Sequence, residues 1–215
     1  LVPLLGALAV VLAGSRPNLR EAMSLGAGVV LLALVVRLLP RVLSGDWPAT
    51  VLAEPIPGLA LAFSAEPLGV LFGLIASFLW IVTTVYSIGY MRGHGEAHQT
   101  RFYAFFAIAM GCTMGVAFAD NLFTLFVFYE VLTLSTYPLV THAGTREARQ
   151  GGRTYLGILM ATSMGFLLLA VVWTWQLTGN VRFTSGGILA GAASPLVIGI
   201  LFALYVFGIG KAALM

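Results

Sequence analysis

Long apolar runs separated by short polar links are the main pattern of this chain. Crossing the ~30 Å hydrocarbon core of a bilayer takes about 20 helical residues. Seven runs reach or approach that length: residues 1–13, 22–39, 67–90, 102–119, 122–140, 155–177 and 195–215. None alternates with period two, so a transmembrane β-barrel is not expected. Helices satisfy every backbone group in lipid, and the pattern therefore predicts an all-α polytopic membrane protein with about seven transmembrane helices.

The links between the runs give no sign of a domain boundary. The longest link, residues 40–66, contains Trp47, Pro48, Pro55 and Pro57, which predicts an extended surface loop. The link between the fourth and fifth runs consists of Asp120 and Asn121 alone. The seven runs are therefore expected to pack as one unit.

Composition narrows the class of protein. Of 215 residues, 60% are hydrophobic and only 9% are charged, against about 25% charged in soluble domains. The mean hydropathy of +0.99 excludes a soluble domain, a disordered chain and a nucleic-acid binder. The single cysteine, Cys112, excludes a disulfide framework and an iron–sulfur site. Three scattered histidines do not form a haem array, so neither a cofactor nor a metal ion is expected.

Basic residues indicate the orientation of the chain. Ten of the eleven are arginines, and most lie in links that share one side of the membrane if the helices alternate in direction. The links on that side hold Arg16, Arg20, Arg92, Arg101, Arg146, Arg149 and Arg153. The opposite side holds Arg41 and Arg182, with Arg37 at the boundary. The positive-inside rule then predicts an outside N-terminus in the cell (inner or plasma) membrane.

Two charges interrupt the apolar runs. Glu130 lies ten residues after Asp120, at a depth of roughly 15 Å, where an unpaired carboxylate costs about 2.5 kcal/mol or more. Lys211 lies deep in the seventh run, after Gly208 and Gly210, which weaken a helix. A pair that closes and opens would shift the proton affinity of each partner. The alternatives are a structural carboxylate bonded to a neighbouring helix or subunit, and a lysine that reaches the interface.

Further polar side chains extend from Glu130 toward one membrane surface. Thr133 and Tyr137 follow at i+3 and i+7, on the same helix face, and His142 stands just beyond the run. They form a candidate proton relay; the alternative is that the two hydroxyls only bond neighbouring helices. His94 and His98, four residues apart, lie in a glycine-broken link and are expected at the surface.

Several motifs resemble the antiporter-like subunits of Mrp-type sodium/proton antiporters and respiratory complex I. They are Tyr86–Met91, Asn121–Glu130, Thr133–Val140 and Gly210–Met215. The resemblance covers residues 66–215 and implies about fourteen helices with two inverted repeats. On that basis residues 1–65 form helices 1–2 and an outer loop, while residues 66–215 hold helices 3–7 and most of the first ion-translocating repeat. The resemblance also implies that Glu130 pairs with Lys211, and that the chain is the N-terminal half of a longer protein.

These observations predict a proton-translocating subunit of a multisubunit membrane complex, closest to the D-type member of the Mrp antiporters. Its expected partners are other membrane subunits, the lipid bilayer and protons, with Na⁺ as a candidate second ion and no nucleic acid. No catalytic centre of its own is expected. The alternatives are a proton-pumping subunit of complex I (NADH-quinone oxidoreductase) or of a membrane-bound hydrogenase. A further alternative is a membrane anchor in an inorganic-carbon uptake complex.

Overall fold

The computed structural model describes residues 1–210 and consists mainly of helices. The elements in chain order are α1 (Val2–Leu12), α2 (Pro17–Leu43), β1 (Ala49–Ile56), β2 (Leu59–Ser64), α3 (Pro67–Gly93), α4 (Gln99–Ala117), α5 (Leu122–Val140), α6 (Arg146–Thr162), a π-helical segment (Ser163–Leu168), α7 (Leu169–Thr178) and α8 (Pro195–Ile209). The segments from α6 to α7 form one continuous helix. Within residues 1–210, five helices are long and apolar enough to cross a membrane, and α1 and α8 are shorter apolar helices. The expected multi-pass helical fold is confirmed.

Most of the helices begin at prolines or next to capping residues, and not always at the limits of the apolar runs. Proline occupies the first turn of α2, α3 and α8, where its missing N–H is no loss. Asn121 and Thr145 cap α5 and α6 by accepting hydrogen bonds from the backbone N–H groups of Thr124 and Ala148. Because polar turns extend the helices past the apolar runs, α2 begins at residue 17 rather than 22. For the same reason α6 begins at residue 146 rather than 155.

The link at residues 40–66 differs from the extended loop that the sequence predicts. It forms an antiparallel hairpin of β1 and β2, with Gly58 at a φ of 82° in the turn. All of β1 is exposed, so the missing N–H of Pro55 is tolerated at this sheet edge. The hairpin is fixed to the start of α5, because the Ala62 N–H donates to Thr124 Oγ1 at 2.9 Å and Asn121 Nδ2 donates to the Ala60 carbonyl at 2.8 Å.

The helices alternate in direction, which gives the bundle two distinct ends. At the arginine-rich end (residues 13–20, 92–101 and 141–153), Thr100 Oγ1 donates to the Gly14 carbonyl and Arg101 Nη2 donates to the His142 carbonyl. At the hairpin end (residues 41–66, 118–121 and 179–194), the Leu122 N–H donates to the Val181 carbonyl. The arginines therefore segregate as expected. That the arginine-rich end faces the cytoplasm stays a prediction from the positive-inside rule.

The two larger of three buried apolar clusters hold most of the helices together. One joins α1, α2, α3 and α4 around Trp80, and the other joins β2, α5, the π-helical segment and α7 around Leu167. Many large apolar side chains outside these clusters are exposed, among them Phe78, Phe202 and Phe207. Five helices also have the length and composition of membrane spans, and large exposed apolar surfaces are typical of contacts with lipid or other proteins.

Helix α8 approaches the π-helical segment unusually closely. Gly208 is buried against Leu167, and a Cβ at residue 208 would lie 2.7 Å from the Leu167 Cα. Three residues earlier, the Tyr205 hydroxyl lies 2.8 Å from Thr174 Oγ1 and donates to the Ala170 carbonyl at 3.1 Å. Glycine at residue 208 therefore permits a contact that any side chain would prevent. This contact fixes the end of α8 beside the middle of the α6–α7 helix.

Candidate functional site

Glu130 is a buried carboxylate in the middle of a membrane-length helix. Helix α5 runs from Leu122 to Val140, which places Glu130 near its centre. The residue is only 6% exposed. Phe126 and Thr133, about one turn away on either side, are also buried. The side of α5 that carries Glu130 is therefore turned into the protein.

The residue beside Glu130 connects α5 to the end of α8. The Tyr129 hydroxyl donates to the Ile209 carbonyl at 2.9 Å, close to the point where Gly208 meets Leu167. Lys211 itself lies outside the described residues, so its pairing with Glu130 stays a prediction. The described residues bring α5 and the end of α8 together next to Glu130.

The three proposed relay residues lie at successive levels between Glu130 and the arginine-rich end. Thr133 is buried, and its hydroxyl donates to the Tyr129 carbonyl at 2.9 Å. Tyr137 is half-buried, with its ring against α6, where a Cβ on Gly152 would lie 3.3 Å from Tyr137 Cε2. Because the Thr133 hydroxyl proton is held by the backbone, Thr133 would have to rotate to pass a proton on. The relay stays a prediction.

His142 lies at the end of this series, just outside α5. Its backbone carbonyl accepts a hydrogen bond from Arg101 Nη2 at 3.1 Å, and its ring meets the ring of Phe102 edge-on at 5.7 Å. Burial lowers the pKa of His142 below its ordinary value of 6.5, and the positive charge of Arg101 lowers it further. Glu96 acts in the opposite direction. His142 is therefore neutral at pH 7 and able to accept a proton.

Replacing Arg101 with glutamine is expected to raise the pKa of His142, because it removes the nearest opposing positive charge. Glu96→Gln is the matched control and is expected to lower the same pKa. Since the folded state holds this pKa below 6.5, the resulting contribution to stability is present above pH ~6.5 and is lost as the pH falls through the lowered value. Histidine hydrogen–deuterium exchange measured by mass spectrometry checks both shifts. Equal values in the two variants would contradict this electrostatic account.

The structure also contains a buried charge cluster that sequence reasoning missed. Glu21, in the first turns of α2, is 4% exposed and accepts hydrogen bonds from Arg92 Nε at 3.0 Å and from Arg92 Nη2. Arg20 Nη2 lies 3.3 Å from the same carboxylate. Arg92 Nη2 also donates to Asn18 Oδ1 at 2.6 Å. The carboxylate of Glu21 thus connects α2 to the end of α3.

Arg20 extends the cluster to α4. It is 5% exposed, and Arg20 Nη2 donates to Gln99 Oε1 at 2.7 Å. Its guanidinium lies 5.4 Å from the centre of the Tyr103 ring. The prediction that the arginines of this end belong to the links is wrong for six of them, which lie in helices: Arg20, Arg92, Arg101, Arg146, Arg149 and Arg153. The detectable signal is the position of Pro17, which starts α2 early enough to draw Arg20 and Glu21 into the bundle.

His94 and His98 lie in the stretch between α3 and α4, and both are exposed. The ring of His94 stacks on that of Tyr90 at 4.4 Å, and its Nδ1 lies 3.0 Å from the Tyr90 carbonyl. His98 precedes α4 with a φ of 55°. Over residues 1–210, no three His, Cys, Asp or Glu side chains gather in a way that could hold a metal ion.

Fold and site together define a class: a multi-pass helical membrane protein with a buried carboxylate in the middle of one span. Residues 119–215 match the family model for the transmembrane region of NADH:quinone oxidoreductase and Mrp antiporter subunits. These residues include Glu130 and the motifs on either side of it. The resemblance inferred from the sequence is thus confirmed: residues 119–215 are similar to the antiporter-like membrane subunits of Mrp and complex I.

Two curated relatives come from the two branches of this family. The chain is 29% identical over 188 residues to NADH-quinone oxidoreductase subunit N of Desulforudis audaxviator (strain MP104C), covering 86% of this chain and 37% of that protein. It is 27% identical over 121 residues to Na⁺/H⁺ antiporter subunit A1 of Staphylococcus aureus (strain bovine RF122 / ET3-1), covering 56% of this chain and 15% of that protein. The chain thus spans about a third or less of the length of these relatives.

Two solved structures share the fold over 97% of this chain. A chain of an archaeal respiratory membrane complex, the membrane-bound sulfane sulfur reductase, matches with a TM-score of 0.78 at 20% identity, over 42% of its own length. A chain of the Mrp complex from Dietzia sp. DQ12-45-1b matches with a TM-score of 0.76 at 23% identity, over 39% of its own length. Both neighbours belong to membrane complexes, and the likeness extends to α1, α2 and the hairpin, which the family model does not cover.

Proposed function

We propose that this chain is a proton-translocating, Na⁺/H⁺ antiporter-like membrane subunit, of the D type found in Mrp antiporters, within a multisubunit complex. The observation that carries the proposal is the burial of Glu130 at the centre of α5. A carboxylate at membrane depth is costly, and such groups in membrane proteins commonly belong to ion pathways. The similarity of residues 119–215 to the family model supports the proposal independently of this burial.

The chemistry needs a basic partner whose distance from Glu130 can change. A lysine close to the carboxylate favours its ionised form, and withdrawal of the lysine favours the protonated form. We assign this role to Lys211, which follows Ile209 by two residues. The hydrogen bond from Tyr129 to Ile209 supports the assignment, because it holds α5 against the end of α8. The π-helical segment beside Gly208 adds irregular backbone of a kind that occurs often at functional sites.

The proton would then travel from Glu130 past Thr133 and Tyr137 to His142. These residues lead from the membrane centre to the arginine-rich end, where His142 is held neutral by burial and by Arg101. Alternating release and uptake of a proton at Glu130 would couple proton movement along this path to the movement of a cation or to a reaction in a partner subunit. The expected partners are other membrane subunits, lipid, protons and Na⁺.

A second candidate function is proton pumping in a complex of the complex I or hydrogenase type. The specific observation favouring it is the match to subunit N of NADH-quinone oxidoreductase, which covers 86% of this chain. In that case proton movement would be driven by electron transfer in other subunits. The buried carboxylate would play the same part in both functions.

The test is to purify the intact complex from its native membrane and reconstitute it into liposomes containing a pH-sensitive dye. An imposed Na⁺ gradient that moves protons supports the antiporter role. Movement that occurs only when a reductant and quinone are supplied supports the second role. The identity of the co-purifying subunits independently distinguishes the antiporter role from the role driven by electron transfer. A complex that moves no protons under either condition would refute both proposals and favour an anchor role, for instance in inorganic-carbon uptake.

A further inference from the structure

Three arginines form one stripe along the first turns of α6. Arg146, Arg149 and Arg153 are spaced by three and four residues, so they share a face. With Gln150 and Thr154 they line an open groove of about 610 Å³. All three arginines are exposed, and none of them belongs to the salt bridges found among residues 1–210. The groove therefore presents three positive charges that form no salt bridge with the described residues.

The stripe begins at the height of the headgroup layer and extends beyond it. The apolar part of the helix begins at Tyr155, and a helix rises about 1.5 Å per residue. Arg153, Arg149 and Arg146 thus lie roughly 3, 9 and 14 Å outside the apolar span. The polar layer on each side of the hydrocarbon core is about 5–8 Å thick. The N-terminal end of α6, close to Arg146, adds partial positive charge to the same surface.

Below the stripe, the membrane part of the helix carries a track of small residues. Gly157, Ala161 and Gly165 follow Arg153 at steps of four residues, so the track winds gradually around a helix of 3.6 residues per turn, and all three are exposed. A Cβ on Gly157 or Gly165 would meet no atom within 4 Å. This track therefore leaves the helix backbone accessible to a hydrocarbon chain in the described chain. Positive charges that begin at headgroup height, followed by an exposed apolar surface, fit the two parts of a phospholipid.

We propose that the arginine groove binds the phosphate of an anionic phospholipid, with an acyl chain along Gly157, Ala161 and Gly165. Guanidinium groups bind phosphate oxygens through paired hydrogen bonds. Basic residues at the membrane surface each contribute roughly fivefold to binding of anionic lipid. The site is separate from Glu130 and His142, so the inference goes beyond the proposed transport function. The proposal does not depend on which side of the membrane the arginine-rich end faces.

The proposal is tested with the intact complex in nanodiscs of zwitterionic lipid, to which fluorescent cardiolipin or phosphatidylglycerol is added. The triple variant R146Q/R149Q/R153Q is expected to bind the lipid roughly a hundredfold more weakly. The matched control R16Q/R41Q/R182Q removes the same charge elsewhere and is expected to bind within about threefold of the unaltered protein. Equal loss in the two triple variants would overturn the site and leave only non-specific attraction.

A second variant separates lipid from soluble phosphate. G157L/A161L fills the track but keeps the arginines, and it is expected to weaken binding of phospholipid but not of glycerol phosphate. If both ligands bind this variant unchanged, the groove is a site for soluble phosphate and the lipid proposal is wrong. If the arginine triple variant loses a subunit of the complex while unaltered protein binds no lipid, the groove is a protein interface, which also overturns the proposal.

Discussion

Replacing Glu130 with glutamine is expected to abolish proton movement by the reconstituted complex while the chain still folds and assembles. Glutamine has nearly the same shape but does not ionise, so it cannot take up and release the proton. Because Glu130 is only 6% exposed, the neutral amide also removes the cost of burying a charge. Transport is therefore expected to fall to the background of empty liposomes. The measurement is the rate of dye response to an imposed Na⁺ gradient or to added reductant.

Two further variants serve as controls for the Glu130→Gln prediction. Glu130→Asp keeps an ionisable group but shortens the side chain, and partial activity is expected. Glu147→Gln removes a carboxylate that is exposed in the first turn of α6, and full activity is expected. If Glu130→Gln transports at the unaltered rate in an assembled complex, Glu130 is a structural carboxylate. The Glu130–Lys211 mechanism is then wrong.

Much of the helical architecture could be predicted because a backbone in lipid must satisfy its hydrogen bonds internally. A run of about 20 apolar residues has to be a helix if it spans the bilayer, and the described helices follow those runs. The hairpin of β1 and β2 was not predictable in the same way. Its pairing depends on contacts with residues far along the chain, such as Thr124 and Asn121. The sequence around Pro55 and Pro57 does not indicate these contacts with the start of α5.

The candidate site likewise contains residues that could be predicted from the sequence and residues that could not. Glu130 was found because a carboxylate inside an apolar run is conspicuous. Glu21 was missed because a charge at the edge of a run is normally solvated, and its burial arises only when α3 and α4 pack over the start of α2. The role of Gly208 was likewise hidden. Its sequence neighbours suggest a weakened helix, whereas the structure uses it for close contact with Leu167.

Replacing Glu21 with glutamine is expected to destabilise the bundle strongly. The change leaves the Arg20 charge buried without a carboxylate, and breaking a buried pair in this way costs about 3–5 kcal/mol. Arg92, whose side chain is 45% exposed, can turn toward solvent, whereas Arg20, at 6%, is held by Gln99 and Thr100. A lower midpoint of thermal or SDS-induced unfolding in purified complex is the expected result.

The matched control is Asp46→Asn, which breaks the ion pair of Arg41 and Asp46 at the hairpin end. Both side chains are more than half exposed there, so a loss of about 0–1 kcal/mol is expected. The double variant R20M/E21L replaces the two buried charges with apolar groups of similar size and is expected to recover part of the stability lost in Glu21→Gln. Equal unfolding midpoints for Glu21→Gln and Asp46→Asn would show that the cluster is solvated. A measured difference would instead mean that α2 is held to α3 and α4 by charge as well as by apolar packing. Glu21 would then be a buried carboxylate with a structural role, in contrast to the proton-exchanging role proposed for Glu130.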